Sequence, residues 1–119
     1  MYNEYQKLSK SDKKVVRELI DKGIASEFKK GMEELDLIMQ KWRDEGVNDQ
    51  QHYAELYGAI RDFDKYIARR YDDLRGSRYV STLTFMIADD IVSISDLDGL
   101  STEFRDEMAS VVKKIKDSN

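Results

Sequence analysis

Apolar side chains recur every three or four residues along four stretches of the chain, which predicts four amphipathic α-helices. Glycines at positions 46, 76 and 99 separate these stretches. The first helix should begin at the capping box Ser9-Lys10-Ser11-Asp12 and end near Glu45. The second should extend from Asn48 to about Arg75. Because short connections force neighbouring helices to be antiparallel, the sequence predicts an all-α, up-down-up-down four-helix bundle with a long first helix.

The third stretch, from Arg78 to Leu97, is the most apolar run in the chain and is predicted to be the central helix. At about 100° per residue, a stripe centred on Ile87 should face the core. Its other members are Val80, Leu83, Ile91 and Ile94. A second row, which includes Phe85, Ala88 and Val92, lies on the opposite side, so we expect this helix to have neighbours on two sides.

Composition supports a single helical domain. The chain has 119 residues, of which 37% are charged and 40% hydrophobic, and it contains no proline. Proline punctuates loops and sheets, so its absence favours helices joined by short turns. We expect residues 1–8 to form a loose tail and residues 9–119 to form one helical-bundle domain. No cysteine is present, which excludes thiol catalysis and thiolate metal sites.

The charge balance disfavours nucleic acid as a partner. The net charge is −4 and the sequence pI is about 5.1, whereas nucleic-acid-binding domains are usually basic. No apolar run has the length of a signal peptide or a membrane span, so we expect a cytoplasmic protein without membrane contact.

Three acidic residues are expected on or beside the apolar faces of three different helices: Asp64, Asp90 and Glu107. With antiparallel packing and a rise of about 1.5 Å per residue, they reach one level of the bundle. Three carboxylates in one layer could hold Mg²⁺ or Mn²⁺. This layer predicts, as one alternative, a metal-dependent hydrolase. The other interpretation is that each carboxylate pairs locally, and no cofactor is then required.

Four arginines with neighbouring tyrosines surround the predicted second turn: Arg69, Arg70, Arg75 and Arg78. Arginine and tyrosine together can bind phosphate and stack on bases, which suggests a nucleic-acid-associated factor as a second alternative. Asp72 and Asp73 lie among them and cancel much of the positive charge. A solvated, ion-paired helix end explains the same pattern.

The sequence favours a non-enzymatic interaction or regulatory protein that acts through helix-face contacts. The first helix is expected to overhang the bundle and to leave Val15 and Val16 uncovered. The outer row Phe85, Ala88 and Val92 also needs a neighbour. We therefore predict a homodimer through these five residues, with two-fold symmetry because this is the commonest closed assembly. The alternatives are contact with another protein, and a monomer in which the N-terminal tail covers Val15 and a skewed bundle buries Phe85.

Overall fold

The computed structural model describes residues 7–118, and every regular element in that range is helical. The α-helices are α1 (Lys10–Glu45), α2 (Asp49–Tyr71), α3 (Gly76–Ala88) and α4 (Thr102–Asp117). A short 3-10 helix, Ile94–Gly99, lies between α3 and α4. The all-α prediction is confirmed. No helix within residues 7–118 combines the length and the apolar character needed to span a bilayer.

The chain divides into two compact units, and α1 contributes residues to both. We call Glu27–Asp72 the hairpin unit, because it contains the second part of α1, a short turn and α2. The core unit contains residues 7–26 and 73–118 of the described chain. The division into two units does not test the up-down-up-down order of the four helices, which stays a prediction. Residues 1–6 of the expected loose tail lie outside the described residues.

The core unit holds almost all of the fully buried apolar side chains. The first part of α1 packs closely on the end of α3, because Gly23 has no side chain to hold them apart. A Cβ at Gly23 would lie 2.1 Å from Cε of Met86. The start of α1 is joined to the start of α4, where Asp12 accepts hydrogen bonds from the backbone N–H of Ser101 at 3.0 Å and from its hydroxyl at 2.7 Å. Buried members of this core include Val16, Ile20, Leu83, Met86, Ile87, Leu97, Met108 and Val112.

The predicted central helix from Arg78 to Leu97 is wrong at its C-terminal end, because α3 stops at Ala88. Asp90 adopts the left-handed conformation with φ 62°. The N–H of Ile91 bonds to the carbonyl of Met86 at 2.8 Å, and that of Asp90 bonds to Ile87 at 3.0 Å. These two bonds form the Schellman motif that ends many helices, with aspartate in the position where glycine is usual.

A new element begins directly after this turn and explains why the helix does not resume. Ser93 and Asp96 form a capping box: the Ser93 hydroxyl accepts from the N–H of Ser95, and the Asp96 carboxylate accepts from that of Ser93, both at 3.2 Å. Short polar side chains of this kind offer the backbone an alternative to helix bonds. As a consequence, Ile94 is 48% exposed rather than part of a core stripe.

The predicted dimer residues are mostly engaged inside the core unit. Val16 is fully buried and Val92 is 3% exposed, so assigning these two to an outer interface is wrong. The overhang that was expected to expose α1 does not occur, because this part of α1 packs in the core, where Val15 lies over Gly99. Ala88 is half-buried at the end of α3, and only Phe85 is exposed among the five.

Candidate interaction surface

The hairpin unit exposes most of the large hydrophobic side chains of the described chain. Eleven such side chains are exposed in residues 7–118, and nine of them lie between Glu27 and Asp72. In contrast, Tyr71 is the one hydrophobic residue of the hairpin unit that is buried. The hairpin unit therefore has apolar helix faces but almost no buried core. The exposed members are Phe28, Met32, Leu37, Trp42, Val47, Tyr53, Tyr57, Ile60 and Tyr66.

Contacts along the hairpin unit fix the register of its two antiparallel helices. Near one end, Phe28 meets Phe63 edge to face, with ring centroids 5.3 Å apart. Gly31 lies against the same ring, since a Cβ there would be 2.7 Å from Phe63. Towards the turn, Lys41 Nζ lies 3.8 Å from Glu55 Oε2. Residues at one level of the two helices therefore have numbers that add up to about 95.

The apolar flanks of both helices lie on the same side of the hairpin. Measured around the axis of α1, Met32 lies about 90° from the line of residues that contact α2. Phe28 and Met39 lie between that line and Met32. On α2, Ile60 and Tyr53 lie about 70–90° from the line that contacts α1, in the same rotational sense along the chain. Because the helices are antiparallel, equal rotations point to one side. We call this the apolar side, formed by Phe28, Met32, Met39, Tyr53, Tyr57 and Ile60.

An open groove of about 320 Å³ lies between the helices near the turn. Two side-chain contacts hold its walls: Trp42 Nε1 donates to Asp49 at 2.8 Å, and His52 Nε2 lies 2.7 Å from a Glu45 carboxylate oxygen. His52 is 6% exposed, and its Nδ1 has no hydrogen-bond partner among the described residues. The groove is lined mainly by apolar side chains: Ile38, Met39, Trp42, Tyr53 and Leu56, with Asp49 and His52.

A buried carboxylate closes the other end of the hairpin. Glu27 accepts hydrogen bonds from the hydroxyls of Tyr66 and Tyr71, one on each carboxylate oxygen. Arg70 Nε lies 3.9 Å from the same carboxylate, and its guanidinium lies over the Tyr66 ring. The pKa of Tyr71 is raised well above its ordinary value, chiefly because its hydroxyl is buried. The hydrogen bond to Glu27 and the negative charge of that carboxylate raise this pKa further. The cluster joins α1 to α2.

Sequence reasoning missed this cluster, although a signal for it is present. Gly23, Glu27 and Gly31 follow each other at intervals of four residues and so share one face of α1. Gly31 lets its face of α1 approach a neighbouring helix closely, so a carboxylate on that face has little access to water and needs hydrogen-bond donors from the neighbour.

The predicted acidic layer lacks support in the structure. Asp64, Asp90 and Glu107 are all exposed, so their placement towards a bundle core is wrong. Asp90 belongs to the turn after α3, where its carboxylate lies 3.4 Å from Lys116 Nζ. Within residues 7–118, no group of three carboxylates or histidines is arranged to hold a metal ion.

The four predicted arginines are divided between the two units. Arg69 is exposed on α2, and Arg70 lies beside Glu27 in the hairpin unit. In the core unit, Arg75 and Arg78 lie 3.0 Å and 3.7 Å from the two oxygens of Asp73. These carboxylates offset positive charge that a phosphate would otherwise meet, in agreement with the ion-paired interpretation.

Comparison with known proteins gives no functional guide: no protein-family model, no curated protein and no solved structure matches the chain.

Proposed function

We propose that the protein is a non-enzymatic, protein-interaction or regulatory helical protein that self-associates, and that the apolar side of the hairpin unit is its contact surface. One observation carries the proposal: nine of the eleven exposed large hydrophobic side chains in the described chain lie on this unit. A cytoplasmic location and the antiparallel four-helix order expected from the sequence belong to the same proposal.

The physical reason is that a two-helix hairpin cannot cover its own apolar seams. Each helix shields only part of the apolar face of its partner, and Phe28 and Ile60 remain 45% and 41% exposed. Burial of apolar surface stabilises by about 25 cal/mol per Å². Contiguous exposed apolar surface on a protein of this size marks an interaction site more often than an isolated exposed residue does.

Sedimentation equilibrium at micromolar concentration tests the proposal, with two variants of matched exposure. Met32 and Leu37 are both 65% exposed on α1, but Met32 lies on the apolar side and Leu37 faces away from it. We expect the wild-type chain to be a dimer, Met32→Glu to be monomeric and Leu37→Glu to remain dimeric. A monomeric wild-type chain, or equal loss in both variants, would contradict the proposal.

A further inference from the structure

We infer that the apolar side is covered by the same side of a second copy of this chain, and that the two-fold axis runs parallel to the hairpin helices. In this arrangement α1 of each copy packs against α2 of the other, and the two hairpins complete a four-helix bundle. The inference rests on the proposed function and adds the identity, direction and register of the partner.

Charged side chains border the apolar side and define which helix can approach. On α1, Lys29, Asp36 and Arg43 repeat every seven residues, so they form one row just beyond Met32. On α2, Arg61 occupies the corresponding edge, and Asp64 lies just inside it, in the row of Tyr57. All five side chains are exposed. Rows at these positions are the ones that face a neighbouring helix across the edge of a bundle.

A two-fold axis parallel to the helices keeps every residue at its own level. Because numbers at one level add up to about 95, Lys29 then meets Asp64 of the second copy, and Asp36 meets Arg61 of the second copy. Each match is within about one helical turn of 5.4 Å. Both pairs unite opposite charges, and the symmetry doubles them, so four attractive contacts border the interface.

A two-fold axis across the helices gives the opposite result. It places α1 against α1 of the second copy in antiparallel direction. When the hairpins overlap fully, Asp36 faces Asp36 of the second copy. Lys29 and Arg43 are equally distant from Asp36, so they face each other. All of these contacts unite like charges. Within one chain Arg43 lies 3.8 Å from Asp36, but their side chains remain 53% and 73% exposed and available to a partner.

Charge reversal distinguishes the two arrangements by the sign of its effect. With the axis parallel to the helices, Lys29→Glu replaces two attractive contacts by repulsive ones. We expect the dimer dissociation constant, measured by sedimentation equilibrium at low salt, to rise about tenfold. Adding Asp64→Lys to the same chain should restore it. With the axis across the helices, Lys29→Glu would face Arg43 and tighten the dimer.

A second measurement uses the absence of cysteine from the chain. A chain with Lys29→Cys and a tagged chain with Asp64→Cys should form a disulfide between copies when mixed and oxidised. A chain with Asp36→Cys alone should form little disulfide between copies, because residue 36 of one copy and residue 36 of the other lie on opposite edges of the bundle. Circular dichroism of each variant checks that its helices are retained.

The outcomes separate this inference from the function on which it rests. A tighter dimer with Lys29→Glu, or efficient cross-linking of Asp36→Cys, overturns the axis direction. If Met32→Glu abolishes the dimer while both charge variants leave it unchanged, the contact surface stands and the charge register is overturned. A wild-type chain that is monomeric overturns both.

Discussion

At the scale of single residues, Glu27 shows how a buried charge is accommodated by this hairpin. Two tyrosine hydroxyls from α2 donate to its two oxygens, and Arg70 approaches from the side. Hydrogen bonds to a charged group contribute about 1.5–3 kcal/mol each, more than neutral ones. The cluster therefore determines which level of α1 lies beside which level of α2, and that register places the charged rows of the hairpin.

The Tyr71 hydroxyl is the testable part of this cluster. We expect Tyr71→Phe to lower the free energy of unfolding by about 2 kcal/mol, because one oxygen of a buried carboxylate loses its donor. Urea denaturation measures the change. Tyr57→Phe, on the same helix, is the control. Both variants are made in the Met32→Glu chain, in which no second copy is expected to cover Tyr57, so that Tyr57→Phe should be near neutral. Equal effects of the two variants would show that the Glu27 bond contributes nothing.

The raised Tyr71 pKa also predicts a pH dependence. The folded chain retains a proton that the unfolded chain releases near pH 10. The folded state then binds more protons, so its stability falls as the pH rises above 10. Below pH 10 the contribution of the Tyr71 hydroxyl to the stability of the folded state is fully present. We expect the wild-type chain to lose more stability between neutral pH and pH 11 than Tyr71→Phe does.

At the scale of elements, the helix ends show what a pattern of apolar residues can and cannot predict. Both ends of α1 agree with the sequence prediction, since Ser9 accepts from the N–H of Asp12 and Gly46 follows Glu45 in the left-handed conformation. The end of α3 was missed because apolar periodicity continues through the turn. The signal that competes with it is short-range: a polar residue that tolerates positive φ, followed by a serine-aspartate cap.

Asp90 tests this explanation of the α3 end. Its φ of 62° is favourable for glycine and costs about 1 kcal/mol for most other residues. We expect Asp90→Gly to be at least as stable as the wild type in thermal denaturation. Asp90→Ala should be less stable than Asp90→Gly by about 1 kcal/mol. The exposed contact with Lys116 is lost in both variants, so their difference isolates the backbone. An alanine variant as stable as the glycine variant would refute the assignment.

At the scale of the whole molecule, buried and exposed apolar residues are divided between two units of one chain. Periodicity in the sequence predicts which side of a helix is apolar. It could not predict which apolar face the same chain covers, since that depends on where helices end and which ones become neighbours. The predicted interface was therefore placed on Val16 and Val92, which the core unit buries.

Self-association of the hairpin unit should be visible in heat denaturation. The chain has a single tryptophan, Trp42, which belongs to this unit, so its fluorescence reports on the hairpin. Association stabilises the folded state by mass action, and we expect the fluorescence midpoint to rise with protein concentration. In Met32→Glu the midpoint should be independent of concentration. A wild-type midpoint that is constant over a hundredfold range would contradict a dimer through this unit.

The turn of the hairpin unit has a consequence for how two chains can meet. Gly46 and Asn48 both have positive φ, at 67° and 65°, and only Val47 stands between them. These two residues reverse the chain within three positions. Without them α1 and α2 would continue as one rod, and the seam would close between exchanged helices of two chains. The choice between a compact hairpin and a domain-swapped assembly thus depends on two exposed residues of the turn.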